Sequence, residues 1–308
     1  MNHDHHAYAH GHHHHGMADY GRAFAIGIAL NLVYVVAEAG YGLAAGSLAL
    51  LADAGHNLGD VLGLGLSWGA MMLGRRGPSG RFTYGLRSSS ILAALANALI
   101  LLIVTGGIAW EAIRRLAYPM MVTGDTVAVV AAVGIAVNGI TALLFASGRS
   151  DDLNLRSAFL HMAADALVTA GVVVAGILIA LTGLLWLDPA VSLIVSAVIV
   201  YGTWGLMKQA LGLALNAVPQ DVDATAVRAH LLALPGVTAI HDLHIWGMST
   251  TETALTCHLV VPQGHPGDAA LSQIAHDLEH RFRIHHTTLQ VELGDSAEAC
   301  VLTPEHVV

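Results

Sequence analysis

Long apolar stretches separated by short polar or glycine-rich breaks dominate the chain as far as residue 213. A helix needs about 20 residues to cross the roughly 30 Å hydrocarbon core of a bilayer. The stretches of that length predict six membrane-spanning helices, at about Arg22–Ala45, Leu48–Leu73, Ser88–Leu116, Val122–Ala146, Leu153–Leu181 and Leu187–Leu213. The breaks between them are rich in Gly, Pro and charged residues, which are typical of turns.

The pattern changes after Val218-Pro219, where polar residues become frequent and the apolar runs become short. Helical and alternating patterns predict a helix, two strands, a second helix and a third strand, at Asp221–Leu234, Val237–Trp246, Glu252–Val261, Pro266–Arg283 and Thr287–Leu293. Asp221 or Asp223 is the expected N-cap of the first of these helices. An α+β domain of this size is near the lower limit for independent folding, so it would gain from dimerisation.

We therefore expect an α-helical membrane protein with six transmembrane helices, followed by a small cytoplasmic α+β domain. The expected boundaries are a histidine-rich cytoplasmic tail over 1–20, the transmembrane domain over 21–215, the cytoplasmic domain over 216–297 and a C-terminal tail over 298–308. Composition agrees, because 55% of residues are hydrophobic and only 11% are charged, against about 25% charged in a soluble domain.

Charge and cysteine content further limit the partners and the compartment that we expect for this protein. The formal charge of -9 is concentrated in the acidic C-terminal domain, which argues against a nucleic-acid partner. The chain has only two cysteines, Cys257 and Cys300, and we expect free thiols in a reducing compartment. The first residues lack the apolar core of a signal peptide, so we do not expect one there.

Basic residues predict the orientation in the membrane, since cytoplasmic loops carry an excess of Lys and Arg. Only Arg114 and Arg115 flank one side of the predicted helices. The basic residues that flank the other side are Arg22, Arg75, Arg76, Arg81, Arg87, Arg149, Arg156 and Lys208. We expect both termini to be cytoplasmic in a multi-pass protein of the cell membrane.

Two strings place a histidine and an aspartate one turn apart inside apolar helices: His56 with Asp60, and His161 with Asp165. Ionisable residues at membrane depth are costly and by default suggest a functional site. At 1.5 Å per residue, each pair starts roughly 12 Å from its own face and ends roughly 18 Å deep. Residues at i and i+4 share a helix face, so the pairs can meet near the midplane.

Two imidazoles and two carboxylates suit one tetrahedral divalent metal, and nitrogen with oxygen ligands favours Zn²⁺ over Mg²⁺ or Mn²⁺. Histidine titrates near neutral pH, so a proton can compete with the metal. Asp53 is assigned to helix packing or to the entrance rather than to the ligands, although a ligand role stays open. Glu38, Asn31 and Asn138 are expected to be polar contacts between helices.

The run from Gly46 to Asp60 closely resembles the second helix of the cation diffusion facilitators, and the string from His161 to Asp165 matches their fifth helix. The resemblance is to the zinc-type branch and covers nearly the whole chain beyond the N-terminal tail. It implies export of Zn²⁺ from the cytoplasm by proton antiport, in a homodimer with a metallochaperone-like cytoplasmic domain. The manganese-type branch has Asp or Asn where His56 stands.

The comparison with this family also bears on the remaining histidines. The loop Arg81–Arg87 contains no histidine, unlike many relatives, so no metal site is assigned there. His241, His258 and Glu292 resemble the family's regulatory site at the dimer interface, which Cys300 could join, although Gln290 stands where some relatives have a histidine. Ordinary surface or strand-pairing roles remain open for these residues. His276, His280, His285 and His286 are expected to be solvated surface residues.

A transporter that works by alternating access around His56, Asp60, His161 and Asp165 is the leading hypothesis. A metal sensor or receptor without transport is an alternative, and so is an exporter of Cd²⁺, Co²⁺ or Ni²⁺. An intramembrane metalloenzyme is disfavoured, because no His-Glu-x-x-His string occurs. The N-terminal histidines predict weak metal capture without fixed geometry; they are His3, His5, His6, His10 and His12 to His15.

Overall fold

The computed structural model describes residues 17–146, 153–294 and 300–303. Its first six helices confirm the predicted apolar helices, with bounds that differ from the expected ones by a few residues. They are α1 (Met17–Ala45), α2 (Leu48–Gly74), α3 (Ser89–Ala117), α4 (Gly124–Ala146), α5 (Leu153–Thr182) and α6 (Leu187–Ala214). The N-terminal histidines, from His3 to His15, lie outside the described residues.

The surfaces of these helices are apolar, as a bilayer requires. Within the described residues, four segments are long and apolar enough to cross a membrane: Ser89–Ala117, Gly124–Leu143, Met162–Thr182 and Leu187–Ala214. Ala29–Ala45 is a shorter apolar segment. Large hydrophobic side chains such as Leu43, Ile103 and Tyr201 are highly exposed. Helices that satisfy their own backbone groups and present apolar side chains outward are typical of membrane spans.

The chain divides into two compact units, Met1–Val61 with Gly106–Ser196, and Leu62–Thr105 with Ala197–Val308. In the first unit, α4 and α5 pack closely because small residues line their contact. A Cβ atom at Gly124 would lie 2.5 Å from the Ala180 nitrogen, and one at Gly176 would lie 2.6 Å from the Ala128 nitrogen. Small residues at such contacts let helix backbones approach within a membrane.

The first turn of α2 is fixed by a carboxylate from α6. The Asp188 side chain is fully buried and accepts hydrogen bonds from the Ser47 hydroxyl, the Leu48 nitrogen at 2.8 Å and the Ala49 nitrogen at 3.3 Å. Free backbone N–H groups at a helix N-terminus need such acceptors and favour a negative charge. Asp188 therefore fixes the start of the helix that carries His56 and Asp60.

The second unit contains the C-terminal domain, with the order helix, strand, strand, helix, strand that the sequence predicts. Its elements are α7 (Ala224–Leu232), β1 (Ala239–Gly247), β2 (Thr253–Val260), α8 (Asp268–Phe282) and β3 (Ile284–Glu292). β2 lies in the middle, antiparallel to β1 and parallel to β3. Asp223 is confirmed as the N-cap of α7, since its carboxylate accepts from the Thr225 and Ala226 nitrogens.

β3 starts three residues earlier than the predicted Thr287, immediately after Arg283 ends α8 in a left-handed conformation with a φ of 57°. Ile284 pairs with Thr253 and is buried in the core of the domain. The two helices and the inner face of the sheet enclose that core, which includes Leu231, Leu255 and Leu278.

Candidate metal centres

Three of the predicted intramembrane ligands lie together in the structure. His56 Nε2 lies 3.3 Å from Asp165 Oδ1 and 3.9 Å from Asp60 Oδ2. One ligand atom from each of the three side chains lies within 4.8 Å of the others. α2 supplies His56 and Asp60 from successive turns, and α5 supplies Asp165. One nitrogen and two carboxylates from two helices can therefore surround a single cation.

His161 belongs to α5, one turn before Asp165. Its side chain lies outside the described residues. The helical spacing of i and i+4 puts these two positions on the same face of α5. The fourth ligand of the predicted set thus stays a prediction that the helix geometry favours.

The three described side chains differ in how exposed they are. The Asp165 side chain is 5% exposed, whereas those of His56 and Asp60 are 21% and 32% exposed. The site thus combines one buried carboxylate with two more accessible groups. The carboxylates would balance the charge of a dication, which a low-dielectric environment otherwise disfavours.

A buried polar network lies beside this site. From the sequence, Glu38 was expected to be a polar contact between helices and Asp53 a helix-packing or entrance residue, whereas Asn57 and Thr169 were given no role. The Thr169 hydroxyl oxygen lies 2.8 Å from Asp53 Oδ2 and 2.9 Å from the Asp165 carbonyl oxygen. Asp53 is fully buried, which fits the expected helix-packing role and not an entrance. Asn57, next to His56, donates to Glu38 Oε2 at 3.5 Å. The only sequence signal for this network was the presence of polar residues in apolar helices.

A second cluster lies in the C-terminal domain. His258 Nδ1 lies 2.8 Å from Glu292 Oε1 and 3.2 Å from His241 Nε2, and His241 Nε2 lies 3.4 Å from Glu292 Oε2. Cys300 Sγ lies 3.7 Å from His258 Nδ1. Ligand atoms of these four residues all lie within 4.8 Å of one another, so imidazole, carboxylate and thiol groups can share one metal ion.

The sheet register explains this cluster. His241 and His258 are directly opposed in the antiparallel β1–β2 pair, and Glu292 ends the parallel neighbour β3. Cys257 points the other way and is buried in the hydrophobic core, as strand alternation predicts. Cys300 comes from the segment after β3, and its sequence position gave little indication of where it would lie.

A bulge in β1 adds a partner behind the cluster. Asp242 has a left-handed backbone with a φ of 51°, at the register shift between His241 and His244. Its Oδ2 lies 3.5 Å from His258 Nε2, and its Oδ1 lies 2.8 Å from His244 Nε2. A carboxylate on the second ring nitrogen orients a histidine ligand and increases its basicity. His244 itself is therefore a partner of Asp242 rather than a member of the cluster.

The surroundings of Glu292 in the cluster favour its ionised carboxylate. Burial in the core instead favours the protonated thiol of Cys257. Burial raises the pKa of Glu292, but hydrogen bonds from His258 and Cys300 and the charges of both histidines lower it below its usual value. Burial raises the pKa of Cys257 to about 12. Since a metal binds the thiolate, Cys300 and not Cys257 is the suitable sulfur ligand.

The other histidines of the domain lie at its surface. His276 and His280 are exposed on α8, and His285 and His286 are exposed on β3, as predicted. Among the residues that the structure describes, no further group of three or more His, Cys, Asp or Glu side chains converges as these two clusters do.

Two family models match the chain. The model described as the cation efflux transmembrane domain matches residues 24–213. The model described as the cation efflux protein cytoplasmic domain matches residues 219–293. Together they account for both the helical region and the C-terminal domain.

Curated relatives match over most of their length. The metal cation efflux system protein CzcD of Cupriavidus metallidurans is 35% identical over 279 residues, covering 90% of this chain and 88% of that protein. The zinc transporter ZitB of Escherichia coli is 35% identical over 272 residues, with 88% and 85% covered. The cadmium, cobalt and zinc/H(+)-K(+) antiporter of Bacillus subtilis is 33% identical over 264 residues, with 84% and 85% covered.

One solved structure is similar to the C-terminal domain. The metal-bound C-terminal domain of the CzcD transporter from Cupriavidus metallidurans is 37% identical, with a TM-score of 0.22. The match covers 23% of this chain and all of that structure.

Proposed function

Because the chain belongs to the cation diffusion facilitator family and exports divalent metal cations, we propose that it carries Zn²⁺ out of the cytoplasm in exchange for protons. It is a multi-pass protein of the cell membrane, in a family of transporters rather than enzymes. We assign transport to His56, Asp60, His161 and Asp165. The observation that carries this assignment is the approach of His56, Asp60 and Asp165 within 4.8 Å.

Donor chemistry supports zinc as the main substrate. A site of two imidazoles and two carboxylates has the four ligands that Zn²⁺ prefers, whereas Mg²⁺ and Mn²⁺ prefer sets of oxygen ligands. The relative ZitB is named a zinc transporter. Cd²⁺, Co²⁺ and Ni²⁺ accept similar ligands, and the Bacillus subtilis relative is named for cadmium and cobalt as well as zinc. These ions are the alternative substrates.

Exchange with protons follows from the ligands themselves. Metal binds to neutral imidazoles and ionised carboxylates, so binding and proton uptake compete at the same atoms. In the proposed cycle, the cytoplasm-facing site loads a metal ion, and the helices then rearrange so that the site faces outward. Protonation of His56 or His161 there releases the ion. The partly exposed His56 and the buried Asp165 provide an accessible ligand and an anchoring one.

The C-terminal domain would bind a second, regulatory metal ion in a homodimer. His241, His258, Glu292 and Cys300 form its proposed ligand set, with Asp242 behind His258. A small domain of this kind gains stability from dimerisation. Both termini are proposed to be cytoplasmic, which would put this site in contact with the metal pool that the transporter exports.

A metal receptor without transport is the second candidate, because a converging ligand cluster outside the membrane helices could serve as a sensor. Flux separates the two candidates. In proteoliposomes with a pH gradient, the protein should move Zn²⁺ and counter-transport protons, and the rate should fall when the gradient is collapsed. Parallel assays with Cd²⁺, Co²⁺, Ni²⁺ and Mn²⁺ would establish the selectivity.

Variants of the transport site complete this experiment. His56→Ala and Asp165→Ala should abolish zinc flux driven by the pH gradient, because each removes a ligand from the proposed site. His276→Ala is the matched control, since this histidine is exposed on α8. Retained flux in either site variant would overturn the site assignment, and absence of flux in the unmodified protein would favour the receptor.

A further inference from the structure

Glu38 is a fully buried carboxyl group in a membrane helix, outside the proposed ligand set. The Tyr34 hydroxyl donates to Glu38 Oε1 at 2.7 Å, and Asn57 Nδ2 lies 3.5 Å from Glu38 Oε2. Burying an ionised carboxylate is costly unless charges or hydrogen bonds compensate it. The long contact to Asn57 contributes little, so one good donor is left to stabilise a charge on Glu38.

The neighbour of Glu38 on α2 is a second buried carboxyl group. The carboxyl groups of Glu38 and Asp53 act on each other, and Asp53 is also fully buried. Thr169 donates to Asp53 Oδ2, whereas no donor among the described residues reaches Asp53 Oδ1. Two fully buried carboxylates with so few donors cannot both stay ionised without a compensating positive charge. The pair is therefore expected to hold one proton when the neighbouring site is empty.

Another buried carboxyl group of this unit has more donors. Asp188 is as buried as Glu38, but it accepts hydrogen bonds from the Ser47 hydroxyl and from the backbone nitrogens of Leu48 and Ala49. Three donors thus satisfy the oxygens of Asp188. The difference between Asp188 and the Glu38–Asp53 pair is therefore one of donors, not of burial.

None of the described groups that act on the pair carries a fixed positive charge. Tyr34 and the Val130 carbonyl face it from α1 and α4, Asn57 from α2, and Thr169 from α5, with the charge of Asp165 acting on Asp53. Among the described groups that act on the pair, His56 alone can be cationic. A divalent metal at His56, Asp60 and Asp165 would supply the charge that two ionised carboxylates require.

We propose that Glu38 is a proton-binding residue of the transporter, and that the proton it shares with Asp53 leaves when metal occupies the neighbouring site. This proposal rests on the proposed function. Metal binding would then release one proton from outside the ligand set, in addition to any that leave the histidines. The Asn57 amide beside His56, and the Thr169 hydroxyl between Asp53 and Asp165, connect the pair to the ligands.

Counting protons tests this role. The purified full-length protein, with the C-terminal cluster removed by His258→Ala in every sample, is titrated with Zn²⁺ in weak buffer. The protons released per ion bound are measured with a pH indicator and by the slope of log affinity against pH. Glu38→Gln should lower the count by about one, because the introduced amide can donate to Asp53 but does not titrate. Asp53→Asn should lower it equally, and the double variant should lower it no further.

A control and a second measurement keep the outcome clear. Asp125→Asn, at the exposed start of α4, should keep the proton count of the unmodified protein. Infrared difference spectra of the unmodified protein should show a protonated carboxyl band that disappears when zinc is added. This measurement does not require any variant to fold.

The outcomes separate this proposal from the site assignment. Zinc binding with an unchanged proton count in Glu38→Gln, or no loss of the carboxyl band in the unmodified protein, would overturn the role of Glu38 while leaving the metal site intact. If His56→Ala bound zinc and released protons as the unmodified protein does, the metal site itself would be wrong. A lower count in both single variants, without further loss in the double variant, supports a single shared proton.

Discussion

The two candidate metal clusters of this chain differ in their donors and in what surrounds them. The cluster on α2 and α5 brings one described imidazole together with two carboxylates inside apolar helices. The cluster on the C-terminal sheet combines two imidazoles, a carboxylate and a thiol, with Asp242 supporting His258 from behind. A thiolate and a supported imidazole retain zinc firmly. Carboxylates and a titratable histidine suit a site that must load and release its ion.

The largest expected difference between the clusters is in selectivity. His56→Asp replaces a nitrogen ligand with oxygen, which favours Mn²⁺ at the expense of Zn²⁺. The ratio of zinc to manganese flux in proteoliposomes should fall at least about tenfold, or about 1.4 kcal/mol.

The same substitution in the other cluster, His258→Asp, is the matched control. It should leave the ratio of fluxes unchanged, since the C-terminal cluster is not on the proposed transport path. A change of ratio in His258→Asp as large as that in His56→Asp would remove the distinction between the two clusters.

The next effect concerns metal retention by the C-terminal domain. His258→Ala removes a ligand that contacts Glu292, His241 and Cys300. Zinc affinity of this cluster should fall by more than the roughly 10–100-fold that loss of an outer partner costs. Calorimetry of the full-length protein, with the transport site removed by Asp165→Ala, isolates this binding event. His280→Ala on the exposed face of α8 is the control, and an equal loss there would count against the cluster.

A smaller effect is expected from the partner behind the cluster. Asp242→Ala removes the carboxylate that lies 3.5 Å from His258 Nε2, so the imidazole should become less basic and less well oriented. Zinc affinity at this cluster should fall about tenfold. His244→Ala, which removes the other histidine bound to Asp242, should change it little. Equal losses in both variants would mean that Asp242 does not act through His258.

The smallest expected effect concerns how the two cysteines react with iodoacetamide. Burial raises the pKa of Cys257 to about 12, so very little of its reactive thiolate is present at pH 8. Mass spectrometry after iodoacetamide treatment should find Cys300 modified and Cys257 unmodified, and zinc should protect Cys300. Labelling of Cys300 that zinc does not slow would exclude it from the ligand set.

Local patterns predicted the membrane helices and the four proposed ligands, and the structure brings the side chains of three of these residues together. Hydropathy predicted where Leu187–Ala214 and its neighbours lie, and the spacing of His56 and Asp60 follows from one turn of helix. The contacts that hold these ligands are tertiary and could not be predicted. Asp188 caps α2 from a helix that begins more than a hundred residues later in the chain, and Glu38 contacts Asp53 only because α1 packs beside α2.

The C-terminal cluster was partly predictable for a similar reason. Strand alternation separated His258 from Cys257, and the resemblance of the domain suggested His241 and Glu292. The bulge that turns Asp242 toward His258 depends on a left-handed residue in a strand, which no alternation predicts. Cys300 reaches the cluster through an irregular segment, whose path is set by contacts rather than by periodicity.

The most direct test of the central claim is to locate the metal itself. Anomalous diffraction at the zinc absorption edge, from crystals of the zinc-loaded full-length protein, should show a peak bonded to His56, Asp60 and Asp165, with His161 as the remaining ligand. A second peak is expected among His241, His258, Glu292 and Cys300. Zinc density confined to the C-terminal cluster, with none within bonding distance of Asp165 at saturating zinc, would contradict the account.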